Sequence, residues 1–315
     1  MADETKEIQQ DTARIKTEKV VDPHTLDPIR EKFPDELEFM GVHEEFERMP
    51  YLERVQHWAL MICFFTLVLT GLPLFFKENS VAQAIFGFRG GFALRGILHR
   101  IAGAGLILVS IFHIGYIVFS KQGNQHFRAI LPRLKDMFDP LHTFMHNLGV
   151  MSYFKRKGYF PALFNRYSWI SFENPPRFDR YNFKEKFEYF ALVWGNLIMI
   201  VTGLMMWFLE ASLAIFPKWF LDVVRVIHGY EALLALLAIV IWHMYNVHFN
   251  PEVFPMSRIW LTGKIGREEF RDHHPLEYEQ LLLERKRQIE LDNQNIAVVE
   301  KSSTESEDSV KNKQP

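Results

Sequence analysis

Four stretches of the chain, residues 58–76, 97–120, 187–209 and 226–249, are almost free of charge, while the residues around them are mostly polar. Each runs about 19 to 24 residues, and a helix needs roughly 20 to cross a ~30 Å hydrocarbon core. Glu188 and Glu231 are the carboxylates inside these stretches; otherwise Arg100 and several histidines near the ends interrupt them. A soluble core has no need of four apolar runs this long. The pattern therefore predicts an all-α integral membrane bundle of four helices.

Composition changes this picture only by showing how unevenly the charge is spread. The chain has 315 residues, 23% of them charged, and a net charge of −2, averages that alone would suit a soluble protein of two domains. No nucleic-acid partner is expected. Cys63 is the only cysteine. That excludes a disulfide framework, a thiolate zinc site and an iron–sulfur cluster, and without a C-x-x-C-H run any haem must be non-covalent.

The organisation follows from the spans. Residues 1–50 form a polar extension with no apolar signal segment, 51–120 the first two helices, and 121–183 a long connection. Residues 184–250 hold the other two helices, 251–289 a C-terminal segment and 290–315 a polar tail. Residues 1–35 and 290–315 are charged and poor in aromatics, a composition that predicts disorder. The connection mixes Tyr153, Phe154, Tyr159, Phe160, Phe164, Tyr167, Trp169, Phe172 and Phe178 with basic residues, which suits a segment lying at the membrane surface. Lys121, Arg128, Arg133 and Lys135 follow the second helix, and Arg177, Arg180, Lys184 and Lys186 precede the third; the short outer connections hold fewer. The bias predicts that both termini and the central connection are cytoplasmic.

The chain also repeats itself at an offset of about 132 residues, a duplicated helical hairpin that predicts two antiparallel pairs in one bundle. Residues 53–60 (ERVQHWAL) align with 185–192 (EKFEYFAL), and Thr70-Gly71-Leu72 with Thr202-Gly203-Leu204. Further on, Arg95 to His99 corresponds to Arg225 to His228, and His113 to His243.

Histidines mark both halves. His57 opens the first helix, His99 and His113 bracket the second, and His228 and His243 bracket the fourth. A gap of 14 residues spans about 21 Å and returns to within about 40° of the same face; a gap of 15 ends about 60° to the other side. His99 and His228 then share an outer level, while His113, His243 and His57 share an inner one. Imidazole pairs at two levels are the axial ligands that two stacked haems require, and ionisable side chains in a span point to function. A lone histidine at a helix end is ordinarily an interfacial or hydrogen-bonded residue; five at two matching levels are not. Gly71, Gly96, Gly103, Gly105, Gly203 and Gly229 suit either close helix packing or a flat macrocycle. Arg95, Arg100 and Arg225 either pair with haem propionates or snorkel to the interface.

With Arg54-Val55-Gln56-His57-Trp58, Thr70-Gly71, Ile97-Leu98-His99-Arg100, Asp179-Arg180-Tyr181-Asn182, Thr202-Gly203, Ile227-His228-Gly229, Trp242-His243-Met244-Tyr245 and His273-His274-Pro275, the chain resembles the cytochrome b (gamma) subunits of respiratory formate dehydrogenases over roughly residues 45–285. It looks closer still to a branch that pairs with other periplasmic redox partners. The resemblance implies a multi-pass protein of the bacterial inner membrane with two b haems. It is then one subunit of a hetero-oligomeric complex between a periplasmic redox subunit (iron–sulfur or multihaem cytochrome c) and membrane quinone (menaquinone or ubiquinone). Carried over residue by residue, His99 and His228 hold the outer haem, His57 and His243 the inner one, and Asn182 lies at the quinone site. Two departures stand out. The fourth-helix spacing is 15 rather than 14, and His113 is additional, so the internal repeat offers His113 in place of His57 as partner of His243. His248, one turn on, is a candidate for a third haem. Glu185 and Glu188 sit near Asn182 as candidates for proton relay or as an ordinary charged helix start. A haem-free membrane anchor and a proton-coupled transporter are the alternatives; the matched histidine levels argue against the first, and against the second stands that only Glu231, one turn from His228, comes near a mid-bilayer carboxylate.

Overall fold

The computed structural model describes residues 44–75, 84, 87, 89–157, 176–251 and 253–311. All four expected spans are helices: α1 (Tyr51–Phe75), α2 (Gly91–Phe119), α6 (Phe183–Trp207) and a fourth that starts as α8 (Lys218–Leu237) and runs to Phe249. Three short helices, α3 (Lys121–Ile130), α4 (Leu134–Asn147) and α5 (Val150–Lys157), follow the second span; α7 (Leu209–Ile215) follows the third. Beyond the fourth lie α9 (Ile259–Thr262), α10 (Arg267–His273) and α11 (Pro275–Lys311).

The spans begin before their charge-free runs because the charged residues ahead of each run, such as Glu53, Arg95, Glu185 and Asp222, are still helical. In α6 the Asn182 side chain accepts from the backbone N–H of Lys184 (2.9 Å) and Glu185 (3.0 Å), and Glu185 accepts from Asn182 N–H (2.8 Å), a complete capping box. Gly90, at φ 84°, makes the left-handed turn into α2, which other residues adopt only under strain. Outward-facing positions are apolar: Ile101, Leu108 and Ile111 are at least 60% exposed in the isolated chain. An apolar surface of this extent is what lipid covers. The chain is a four-helix membrane bundle in which α1 packs on α2, α6 on α8, and the two hairpins meet through α1 with α8 and α2 with α6.

In the fourth span the helix changes type. Residues Ala238–His243 and Tyr245–Phe249 are π-helical, and a π segment takes up more residues per turn than an α-helix, commonly at functional sites. An extra residue is thereby absorbed near His243. The 15-residue spacing from His228 therefore need not rotate His243 away from its α-helical direction.

One end of the bundle, the inner end, carries the segments that lead to both termini. Strand β1 (Glu45–Glu47) pairs antiparallel with β2 (Lys264–Gly266), Glu45 opposite Gly266. Beneath them Arg48, buried, bonds the Glu277 carboxylate (3.1 Å) and the Arg180 carbonyl; Arg180 answers with Glu277 (2.7 Å) and the Arg48 carbonyl (3.0 Å). His274 Nδ1–H donates to the Asp179 carbonyl at 3.0 Å, and Leu276 N–H to that of Phe178 at 3.1 Å. These bonds fix the approach to α6 and hence Asn182. On the other side of that approach, α4 turns its polar face inward. Lys186 of α6 bonds Asp136 (2.7 Å), Asp139 and His142 are buried, and Leu134, Met137, Leu141 and Phe144 face outward.

Two groups in these layers titrate with opposite signs. Burial first, then the Arg48 guanidinium, lowers His274 to about 3, so its neutral form stabilises the fold. That contribution is complete above the unfolded value of 6.5 and is lost as pH falls from there toward 3. Burial raises the Asp139 carboxyl to about 6, and its contribution runs the other way, present in acid and lost as pH rises through 6. Acidification from pH 6.5 to 5 is expected to weaken the His274 layer by about 2 kcal/mol. Amide hydrogen exchange at residues 176–182 and 264–278 should then accelerate, and His274→Asn should remove most of that pH dependence; an unchanged profile would refute the assignment.

Several expectations fall outside the described residues: disorder at 1–35, and the aromatic residues Tyr159, Phe160, Phe164, Tyr167, Trp169 and Phe172 of the connection. The tail differs from its composition. Residues 279–311, part of a second unit that begins after Tyr278, are helical through Lys311. Up to residue 301 they are rich in Glu, Leu, Arg, Lys and Gln, which are good helix formers.

Candidate haem-binding site

At the outer level His99 of α2 and His228 of α8 face each other across the bundle, with ring centroids 6.4 Å apart. Each imidazole is held the same way. Thr70 of α1 sits 2.8 Å from His99 Nδ1, and Thr202 of α6 sits 2.8 Å from His228 Nδ1. Both threonine hydroxyls already donate to the carbonyl four residues back, Thr66 and Ile198, at 2.6 Å. A hydroxyl has one proton, so each threonine accepts and each Nδ1 carries the hydrogen. The tautomer that results leaves a lone pair on Nε2, the nitrogen available to a metal.

Glycine completes the arrangement. A Cβ on Gly71 would come within 3.2 Å of His99 Cε1, and one on Gly203 within 3.4 Å of His228 Cε1. The Thr-Gly pair of each half is therefore one device: the hydroxyl sets the tautomer, and the missing side chain makes room for the ring. Gly105 serves helix packing instead, against Cys63 Sγ. Of the three arginines, Arg95 donates to the Thr70 carbonyl (2.6 Å), Arg100 lies over the Trp207 ring, and Arg225 pairs loosely with Asp222 (3.7 Å).

At the inner level three histidines have three different environments. His243 Nδ1 lies 3.0 Å from the Glu188 carboxylate, which accepts its hydrogen and leaves Nε2 open. Among the described residues His57 has a buried Nδ1 with no hydrogen-bond partner, costly unless a ligand or a polar neighbour compensates. Both nitrogens of His113 are engaged. Gln56 Oε1 takes the Nδ1 hydrogen (2.8 Å), since the Gln56 amide nitrogen is turned to the Leu52 carbonyl; the Tyr189 hydroxyl donates to Nε2 (3.0 Å). His248 lies one turn beyond His243 within the π-helical segment Tyr245–Phe249, its ring against Phe249. Asn182 caps α6 with its side-chain oxygen.

Thr70, Thr202, Gln56 and Tyr189 carried no role in the sequence reading. Their signal was nonetheless there, because each sits on the 132-residue offset: Thr70 with Thr202, Gln56 with Glu188, His57 with Tyr189.

Half-buried imidazoles at two levels of a membrane bundle, the outer pair with fixed tautomers and cleared by glycine, make this a membrane cytochrome whose residues fit non-covalent haem. Residues 48–260, well over half of the chain, match the model of the prokaryotic cytochrome b561 family, and the chain belongs to that family. It is a multi-pass bacterial membrane cytochrome b of respiratory electron transfer that carries haem b. Among curated proteins it is similar to the cytochrome b556(Fdn) subunit of the nitrate-inducible formate dehydrogenase of Escherichia coli K12, 23% identical over 238 residues, covering 74% of this chain and 90% of that protein. The same subunit of Shigella flexneri matches to the same degree.

Proposed function

We propose that the chain is the di-haem subunit of a hetero-oligomeric respiratory complex, moving electrons between a periplasmic redox subunit and the quinone pool. The observation that carries this reading is the pairing of imidazoles at two levels: His99 with His228, each with Nδ1 committed to threonine, and His243 with His57, one committed to Glu188 and one whose buried Nδ1 has no partner among the described residues. When bound, the haems supply one-electron carriers at the two levels. The protein's share is position and basicity. Glu188 raises the donor strength of His243, and the threonines keep the outer rings from turning.

The lone pair of His113 Nε2 is occupied by Tyr189, which favours His57 over His113 as the inner ligand. Asn182 spends its oxygen on the helix cap, so its amide N–H groups are the ends that would donate to a quinone oxygen at the inner level. Basic residues beside the inner helix ends support a cytoplasmic inner end with both termini on that side. The outward apolar face of α4 supports a connection lying on the membrane surface. The named relative belongs to a formate dehydrogenase, which supports a multi-subunit assembly, with a periplasmic iron–sulfur or multihaem cytochrome c subunit facing the outer level.

The test is a pyridine haemochrome assay, with reoxidation of dithionite-reduced protein by short-chain menaquinone and ubiquinone analogues. Expected are about two b haems per chain, no covalent haem, and reoxidation slowed about 10-fold in Asn182→Ala with haem content unchanged. A folded, colourless preparation would sink the reading. Full-rate reoxidation of the variant would remove Asn182 from it.

A further inference from the structure

The internal repeat relates α1 to α6 and α2 to α8, and at the outer level the relation is nearly closed. His99 with Thr70 and Gly71 mirrors His228 with Thr202 and Gly203, so the site sits on the approximate two-fold and maps onto itself. The inner level cannot do this, because its ligand pair lies on neighbouring helices. His57 of α1 and His243 of α8 map onto position 189 of α6 and His113 of α2. Glu188, which holds His243, maps onto Gln56, which holds His113. Every part of a second inner site is thus present except one. Tyrosine stands at 189 where the symmetry calls for histidine, and its hydroxyl donates to the nitrogen His113 would offer to iron, at 3.0 Å.

We infer that Tyr189 is the specificity-determining residue that assigns the inner haem to the α1–α8 side of the bundle, by replacing one ligand and capping the other on the α2–α6 side. The inference rests on the ligand reading proposed above. His113 is then no spare ligand. It is the retained half of a site closed by a single side chain, with its orienting partner Gln56 still in place.

The inference predicts a transplant. His57→Ala alone should hold one haem, the outer, and adding Tyr189→His to it should restore two low-spin b haems, now through His113. The same second change on a His243→Ala background should restore the inner haem as well, because neither original ligand is used on the new side. Adding His113→Ala to either double variant should return it to one haem. Haem counts and low-temperature visible spectra of purified protein read these outcomes without any turnover assay, and the outer haem reports that each variant has folded. Both double variants remaining at one haem would overturn the inference. So would loss of the outer haem from both, since the exchange leaves the outer level untouched. If His57→Ala by itself keeps both haems, the fault lies instead with the ligand reading.

Discussion

His57→Ala is expected to lose the inner haem and keep the outer one, whereas His113→Ala keeps both. His243→Ala should resemble His57→Ala, while His99→Ala and His228→Ala should each lose the outer haem alone. The asymmetry between His57 and His113 follows from their hydrogen bonds. His113 gives its Nδ1 hydrogen to Gln56 and receives Tyr189 at Nε2, so both nitrogens are satisfied within the protein. Among the described residues no side chain caps His57 in this way, and its buried Nδ1 has no hydrogen-bond partner there. Removing an axial imidazole also leaves the opposite one unpaired in a low-dielectric interior, so retention should fall steeply rather than by degrees. Haem counts with low-temperature spectra decide it. A His113→Ala protein lacking the inner haem, beside a His57→Ala protein that retains it, would reverse the assignment.

Gly203→Val, and equally Gly71→Val, should weaken outer-haem retention roughly 10–100-fold without touching either histidine. The Cβ alone would stand 3.4 Å and 3.2 Å from the Cε1 atoms of His228 and His99, and the two methyls of valine have to go farther. The ring is pushed off the threonine that fixes its tautomer, in a core too tightly packed to give way freely. Gly203→Ala is the milder companion and should lose much less. Spectral loss at the outer haem during detergent dialysis measures both. A valine variant that keeps its outer haem as firmly as the parent would show that the glycines serve only helix packing.

Much of this architecture is legible in the sequence alone, and the reason is the bilayer. A span must be long, apolar and helical, so the four spans and their order stand out in the sequence. The histidine levels follow from helical rise alone. What escaped was lateral: which partner each imidazole holds. Spacing places His57, His113 and His243 at one level but says nothing about Tyr189 reaching His113 rather than solvent, because that depends on how α2 and α6 rotate against each other. The 15-residue gap in the fourth span looked like a rotated ligand for a related reason. Periodicity assumes a uniform α-helix, and the π-helical turns before His243 break that assumption. The polar, charged composition of the tail suits a solvated helix such as the one through Lys311 as well as a disordered chain.

The strand pair at the inner end also has a meaning in time. Glu45 pairs with Gly266, Arg48 with Glu277, and Arg54 reaches the Leu261 carbonyl, so the start of the first span is fastened by residues made after the fourth. A chain synthesised from its N-terminus can insert all four spans before any of these bonds exists. The full latch at the inner end of the first helix can therefore close only once Glu277 has been made, and His57 lies less than one turn beyond Arg54. The order of the chain thereby makes this latch later than every span it holds together.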